Sequence, residues 1–191
     1  MVYKICRSLL RMIYAVLFRF EASGTENVPA EGPVVLCSNH ISLFDPPTVG
    51  IKLHRKVHYM AKAELFNIPL FGPLIRTVGA FPVKRGGVSK EAIRSAIKLL
   101  QDGGVMGIFP EGTRNSASGM GKKGAAMIAM RSSATVIPVA IIGKYGIFRK
   151  MRVRYGKPID LSAFIHDSSP DVLERVTDTI MLEIRAMVHQ K

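Results

Sequence analysis

Short apolar runs, several of them β-branched, alternate along this chain with segments whose apolar residues repeat at helical spacing, and that alternation constrains the fold most. The runs are PVVLCS (33–38), KVHYMA (56–61), GAFPV (79–83), VMGIFP (105–110), ATVIPVAII (134–142) and RKMRVRYG (149–156). Runs of this length and composition read as strands, and PVVLCS as a buried one. Between them, Ala92, Ile93, Ala96, Ile97 and Leu100 line one helical face after a possible N-cap at Ser89, and Gly103–Gly104 stop that helix. KKGAAMIAMRSS (122–133) reads as a further helix. A last one is expected from Ser169, with Pro170 in its first turn and Leu173, Val176, Ile180, Ile184 and Met187 on its apolar face. ELFNIPLFGPLIRTVG (64–79) reads as a helical stretch broken by prolines. Strand–helix alternation without repeat or linker implies a single α/β layered domain over 21–191, a mostly parallel sheet flanked by helices. Ligands of such sheets gather at the carboxyl ends of the strands.

Residues 1–20 follow another pattern. They carry Lys4, Arg7, Arg11 and Arg19 but no acid, and Lys4, Arg7 and Arg11 share one helical face. Ile5, Leu9, Met12, Ile13, Val16, Leu17 and Phe20 cover much of the rest, an apolar arc too wide for an ordinary surface helix. The expectation is an amphipathic helix lying on an anionic membrane surface with its cations among the headgroups. The alternative is a helix packed on the domain's own core.

The whole chain bears a net charge of +13, from 27 Lys and Arg against 14 Asp and Glu, so an anionic partner is expected. Nucleic acid is a rival reading but is not expected as that partner, because no helix-turn-helix, RNP-like or zinc-ligand pattern occurs and aromatics are only 7%. The longest stretch free of charged residues, Gly32–Phe44, is shorter than the ~20 residues a spanning helix needs. With no signal-peptide cleavage site, a peripheral or monotopic location on the cytoplasmic face of the cell membrane is expected. Cys6 and Cys37 form no C-x-x-C pair, which fits a reducing compartment.

The chemistry concentrates after strand ends. SNHISLFDPP (38–47) places His40 and Asp45 within about one helical turn. A carboxylate on one ring nitrogen holds the tautomer that leaves the other nitrogen free to accept a proton. Alone this pair is a weak pattern. FPEGTRN (109–115) adds Glu111, Gly112, Thr113 and Arg114, and AFPVKRG (80–86) adds Lys84 and Arg85. A guanidinium suits phosphate or carboxylate. Ser42 is a weaker nucleophile candidate, because no G-x-S-x-G elbow surrounds it. His54 and His58, with Arg55 and Lys56 between them, do not suit a cation, and no metal site is expected.

NHISLFD, GAFPVKRG, FPEGTRN and VIPVAI stand in the order and spacing of the glycerolipid acyltransferase family, and the chain resembles its bacterial 1-acylglycerol-3-phosphate acyltransferases from about Val28 to Pro158. The resemblance implies transfer of a fatty acyl group from a coenzyme A or acyl-carrier-protein thioester to a lysophospholipid hydroxyl, with no further cofactor. It casts His40 as general base and Asp45 as its orienting partner. Arg85, beside Lys84, would hold the acceptor phosphate. Glu111, Gly112, Thr113 and Arg114 would position glycerol and phosphate, Lys62 would be a nearby cation, and Pro138 would shape the acyl pocket. Asn115 and Gly121 depart from the family pattern without removing a catalytic group. Rival readings are another acceptor, such as glycerol 3-phosphate or a neutral lysolipid, and a non-catalytic lipid-binding protein, for which an oriented base would have no use.

Overall fold

In a computed structural model, residues 2–83, 90–111 and 120–190 are described, with 120–122 as backbone only. An N-terminal helix α1 (Val2–Leu17) leads into strand β1 (Phe20–Ser23), and β2 (Val34–Ser38) then runs through the centre of the domain. There follow α2 (Asp45–Gly50), β3 (Val57–Lys62), α3 (Phe71–Thr77) and β4 (Ala80–Val83), then α4 (Lys90–Gln101), β5 (Val105–Ile108) and α5 (Met120–Ser132). The chain closes with β6 (Thr135–Gly143), β7 (Met151–Tyr155) and α6 (Val172–His189).

The strands form one sheet in the order β1-β7-β6-β2-β5-β3-β4, with every pair parallel except β6–β7. The expected α/β class, with a mostly parallel sheet, is therefore the observed one. Because β2 is covered on both faces, its residues are all buried, and their alternation feeds two cores. Val35 and Cys37 pack with Met106 against Ala96 and Leu100 of α4, Ala126 and Ala129 of α5, and Val176, Ile180 and Ile184 of α6. Val34 and Leu36 pack with Val105, Ile137, Val139 and Val153 against Val49 of α2 and Leu53. Each fully buried aliphatic side chain contributes about 1.5–3 kcal/mol, so the central strands are anchored from both sides.

Several boundaries differ from expectation. The 64–79 stretch divides into a 3-10 turn, Ala63–Asn67, and α3, with Pro69, which has no N–H to donate, between them. Helix α6 begins at Val172, after Pro170, and Asp171 caps it without a side-chain bond. The Ser89 cap lies outside the described residues. Polar residues 22–32 hide β1, an edge strand too short to show a pattern. Its neighbour β7 sits close: a Cβ at Gly24 (φ 75°) would meet the Tyr155 carbonyl oxygen at 2.0 Å, so only glycine fits there.

Helix α1 is oriented the reverse of an ordinary surface helix. The Arg7 guanidinium donates to the carbonyls of Leu53 (2.6 Å) and His54 (2.9 Å), and that of Arg11 to Ile51 (2.6 Å) and Lys52 (3.0 Å). Tyr14 of the same helix is buried. Val2, Ile5, Leu9, Met12 and Val16, spaced by three and four, all face outward. The expectation that Arg7 and Arg11 sit among headgroups is therefore corrected: both satisfy carbonyls in the turn after α2, which a guanidinium's fork of donors suits. Lys4 and Arg19 remain exposed. The helix also ends at Leu17 rather than at residue 20, since Phe20 pairs with Met151 in the sheet.

Candidate active site

The site is assembled by register. Cys37 pairs with Ile108, so the segments after β2 and β5 leave the sheet side by side, the first reaching His40 three residues later and the second Glu111. On the far side of β5, β3 ends at Lys62, which pairs with Val83 of β4. Lys62 is exposed at this carboxyl edge and Glu111 partly so. Lys84, Arg85, Gly112, Thr113 and Arg114 lie outside the described residues, although the strands preceding them, β4 and β5, end at the same edge.

His40 and Asp45 meet. His40 Nδ1 lies 2.6 Å from Asp45 Oδ2 in the turn leading to α2, with Asp45 wholly buried and the imidazole 18% exposed. The same oxygen accepts the backbone N–H groups of Ile41 (2.6 Å) and Ser42 (2.7 Å). In the neutral imidazole, an Nδ1–H directed at a carboxylate, which only accepts, leaves Nε2 with its lone pair. That is the tautomer a general base needs. Asn39 fixes the segment from the other side: its amide donates to Ile141 O (3.0 Å) and accepts from Ile141 N (2.8 Å), extending the β2–β6 ladder by one side chain. Ser42 turns its hydroxyl to the backbone N–H of Phe44 at 3.3 Å, which is a turn-forming role and not that of a nucleophile. Nor can Cys37 serve as one, because burial pushes its thiol up to about 12.

Aromatic rings set the face of the imidazole. His40 stacks on Phe109 (centroids 4.3 Å apart, planes at 22°), and Phe109 on Tyr59 (6.2 Å, 16°). Gly107 makes room for that stack. A Cβ there would lie 2.1 Å from Tyr59 Cε1, so Gly107→Ala must displace the ring. Overpacking of this kind costs about 1–3 kcal/mol. Urea unfolding should show the loss together with lowered activity, and an unchanged midpoint would mean that the ring moves freely.

Three residues that sequence reasoning passed over complete the site. Tyr145, in the β6–β7 connection, donates its hydroxyl to Asp45 Oδ1 at 2.8 Å, and Thr48 and Tyr14 stand behind it. No motif marks them, since they come from three distant segments. Pro138 is buried in β6 opposite Cys37, its carbonyl accepting Gly156 N–H at 2.8 Å. His54 precedes β3 and only His58 lies in it, its Nδ1 3.1 Å from Gly79 O. Among the described residues no cluster of three or more His, Cys, Asp or Glu could hold a metal ion.

The molecule is an α/β protein with a mostly parallel sheet and an imidazole–carboxylate pair at its carboxyl edge, and comparison with known proteins identifies the family. A family model described as Acyltransferase matches residues 19–142. The 1-acyl-sn-glycerol-3-phosphate acyltransferase of Bacillus subtilis (strain 168) is 33% identical over 97% of this chain and 96% of its own length. The chloroplastic enzyme of that name from Arabidopsis thaliana is 30% identical over 82% of this chain but only 46% of its own. The crystal structure of the 1-acyl-sn-glycerophosphate acyltransferase PlsC from Thermotoga maritima shares the fold at a TM-score of 0.75 and 24% identity, over 99% of this chain and 80% of that one. The chain belongs to the acyltransferase family and is an acyltransferase.

Proposed function

We propose that this enzyme transfers a fatty acyl group from a coenzyme A or acyl-carrier-protein thioester to the free hydroxyl of 1-acyl-sn-glycerol 3-phosphate, forming phosphatidic acid for phospholipid synthesis. The name carried by the Bacillus relative supports the acceptor. The observation that carries the chemistry is the His40–Asp45 contact, made through Nδ1. In this reading Nε2 takes the hydroxyl proton as the oxygen attacks the thioester carbonyl. The tetrahedral intermediate then expels a thiolate, which leaves without strong acid assistance. Asp45 stabilises the imidazolium meanwhile. No covalent enzyme intermediate or cofactor is required. The backbone N–H groups of Ile41 and Ser42 are already given to Asp45, so the oxyanion's donors must come from elsewhere in the site.

The acceptor is a lipid, and the reaction takes place on the cytoplasmic face of a membrane. No helix among the described residues is long and apolar enough to cross one. What supports surface binding is the outward apolar stripe of α1, joined at the catalytic edge by exposed Leu43, Phe44, Ile147 and Phe148. Phe148 N–H bonds to the Leu17 carbonyl at 2.6 Å, which places that loop against the end of α1. Lys4 and Arg19 would meet anionic headgroups, each worth about 1 kcal/mol.

The purified enzyme should convert lysophosphatidate to phosphatidate, and glycerol 3-phosphate and neutral monoacylglycerol far less well, when offered coenzyme A and carrier-protein thioesters in turn. Preference for either alternative acceptor would overturn the assignment. Ile5→Glu with Leu9→Glu should abolish co-sedimentation with phosphatidylglycerol-containing vesicles. Undiminished binding would move the contact to exposed Ile68, Leu70, Phe71 and Leu74.

A further inference from the structure

We infer that Tyr145 is a positioning residue for the acyl transfer, acting through Asp45 as the last donor of a hydroxyl chain that begins at Thr48 of α2. This rests on the reading of His40 and Asp45 as the reacting pair. Asp45 is gripped asymmetrically: three donors converge on Oδ2, from His40, Ile41 and Ser42. A carboxylate held through one oxygen can still pivot about that point. Tyr145 Oη, 2.8 Å from Oδ1, supplies a hold on the second oxygen and fixes the carboxylate plane against the imidazole.

The Tyr145 ring is itself held, edge-on to Phe18 (5.8 Å, 89°) and tilted against Phe44 (5.7 Å, 44°). Proton counting sets the direction of the chain. The one hydroxyl hydrogen of Tyr145 goes to the carboxylate, which can only accept, so its oxygen is free to accept from Thr48 Oγ1 at 2.7 Å. Thr48 Oγ1 also lies 2.7 Å from Phe44 O, and the Tyr14 hydroxyl lies 3.1 Å from Thr48 and 3.2 Å from that carbonyl. With Tyr14 donating to Phe44 O, the single hydroxyl hydrogen of Thr48 is available for Tyr145. Burial first, and then the nearby Asp45 charge, hold the Tyr145 phenol well above its ordinary value, so it remains a donor across the working pH range. In such a chain each donor polarises the next.

The test uses the full-length enzyme with lysophosphatidate and an acyl thioester. Tyr145→Phe keeps the ring and removes only the donor, so kcat should fall about tenfold, as for loss of a bond to a charged group, with KM within about twofold. Thr48→Val should lower kcat by a smaller factor, and Thr48→Ser should restore it. The deciding comparison is made in an Asp45→Asn background at high enzyme concentration, where adding Tyr145→Phe should change the residual rate by less than about twofold. An equal loss in both backgrounds would make Tyr145 a structural residue and overturn the inference. Wild-type activity of Tyr145→Phe beside a crippled Asp45→Asn enzyme would overturn it while leaving the His40–Asp45 reading intact. Full activity of Asp45→Asn and His40→Ala would remove that reading, and this inference with it.

Discussion

His40→Ala should lower turnover by roughly 100- to 10,000-fold while leaving the fold intact, the range expected when a positioned general base is removed. The fold should survive because the imidazole is not what holds Asp45 in place. The backbone N–H groups of Ile41 and Ser42 and the Tyr145 hydroxyl still bind that carboxylate after truncation. Asp45→Asn should be nearly as severe for a different reason. An amide presents donors as well as an acceptor, so if its NH2 faces Nδ1, the hydrogen moves to Nε2 and the lone pair needed for the substrate is lost. The asparagine would also bring its own donors against the N–H groups of Ile41 and Ser42, so some loss of melting temperature is expected for Asp45→Asn and not for His40→Ala. Steady-state rates and melting curves on the two purified variants separate these effects. Near-wild-type transfer by His40→Ala would remove the general-base mechanism altogether.

Arg85→Ala should reduce kcat/KM for lysophosphatidate about 10- to 150-fold, the equivalent of one charge-assisted hydrogen bond of roughly 1.5–3 kcal/mol. Arg85 follows β4 by two residues, and Val83 of that strand pairs with Lys62 at the edge where β2 and β5 deliver His40 and Glu111. If the family resemblance holds for Arg85, the acceptor phosphate would sit near that edge, where Lys62 is exposed. The loss should fall on the acceptor's KM and leave that of the thioester little changed. Arg85→Lys should recover only part, since an ammonium supplies charge without the planar fork. A neutral monoacylglycerol measured in parallel provides the control. If both acceptors lose equally, Arg85 serves the fold or the donor, and its assignment to the phosphate falls.

The features legible in the sequence are those that depend on neighbours along the chain. PVVLCS shows itself as a buried strand because both of its faces are covered, which demands apolar residues at every position. His40 and Asp45 are readable as a pair because a short turn is enough to bring residues five apart into contact. Strand β1 is not readable in this way. Phe20–Ser23 has a mixed pattern, and it is a strand only because β7 lies beside it to accept the pairing. The cationic face of α1 misled for a related reason. Spacing shows that Arg7 and Arg11 share a face, but whether that face meets water, lipid or protein depends on the free carbonyls of the turn after α2, which is some forty residues away in sequence.

What the sequence determined by itself, then, was the α/β alternation and the local imidazole–carboxylate pair, because periodicity and short-range geometry are written into adjacent residues. Tertiary structure alone decided the strand order, the antiparallel return of β7 and the inward turn of the α1 arginines. It also brought Tyr14, Thr48 and Tyr145 together around Asp45. Their hydroxyls come from segments up to about 130 residues apart, and a hydrogen bond carries no trace in the sequence between them. Only the packing of α1, α2 and the β6–β7 connection against one another sets such contacts.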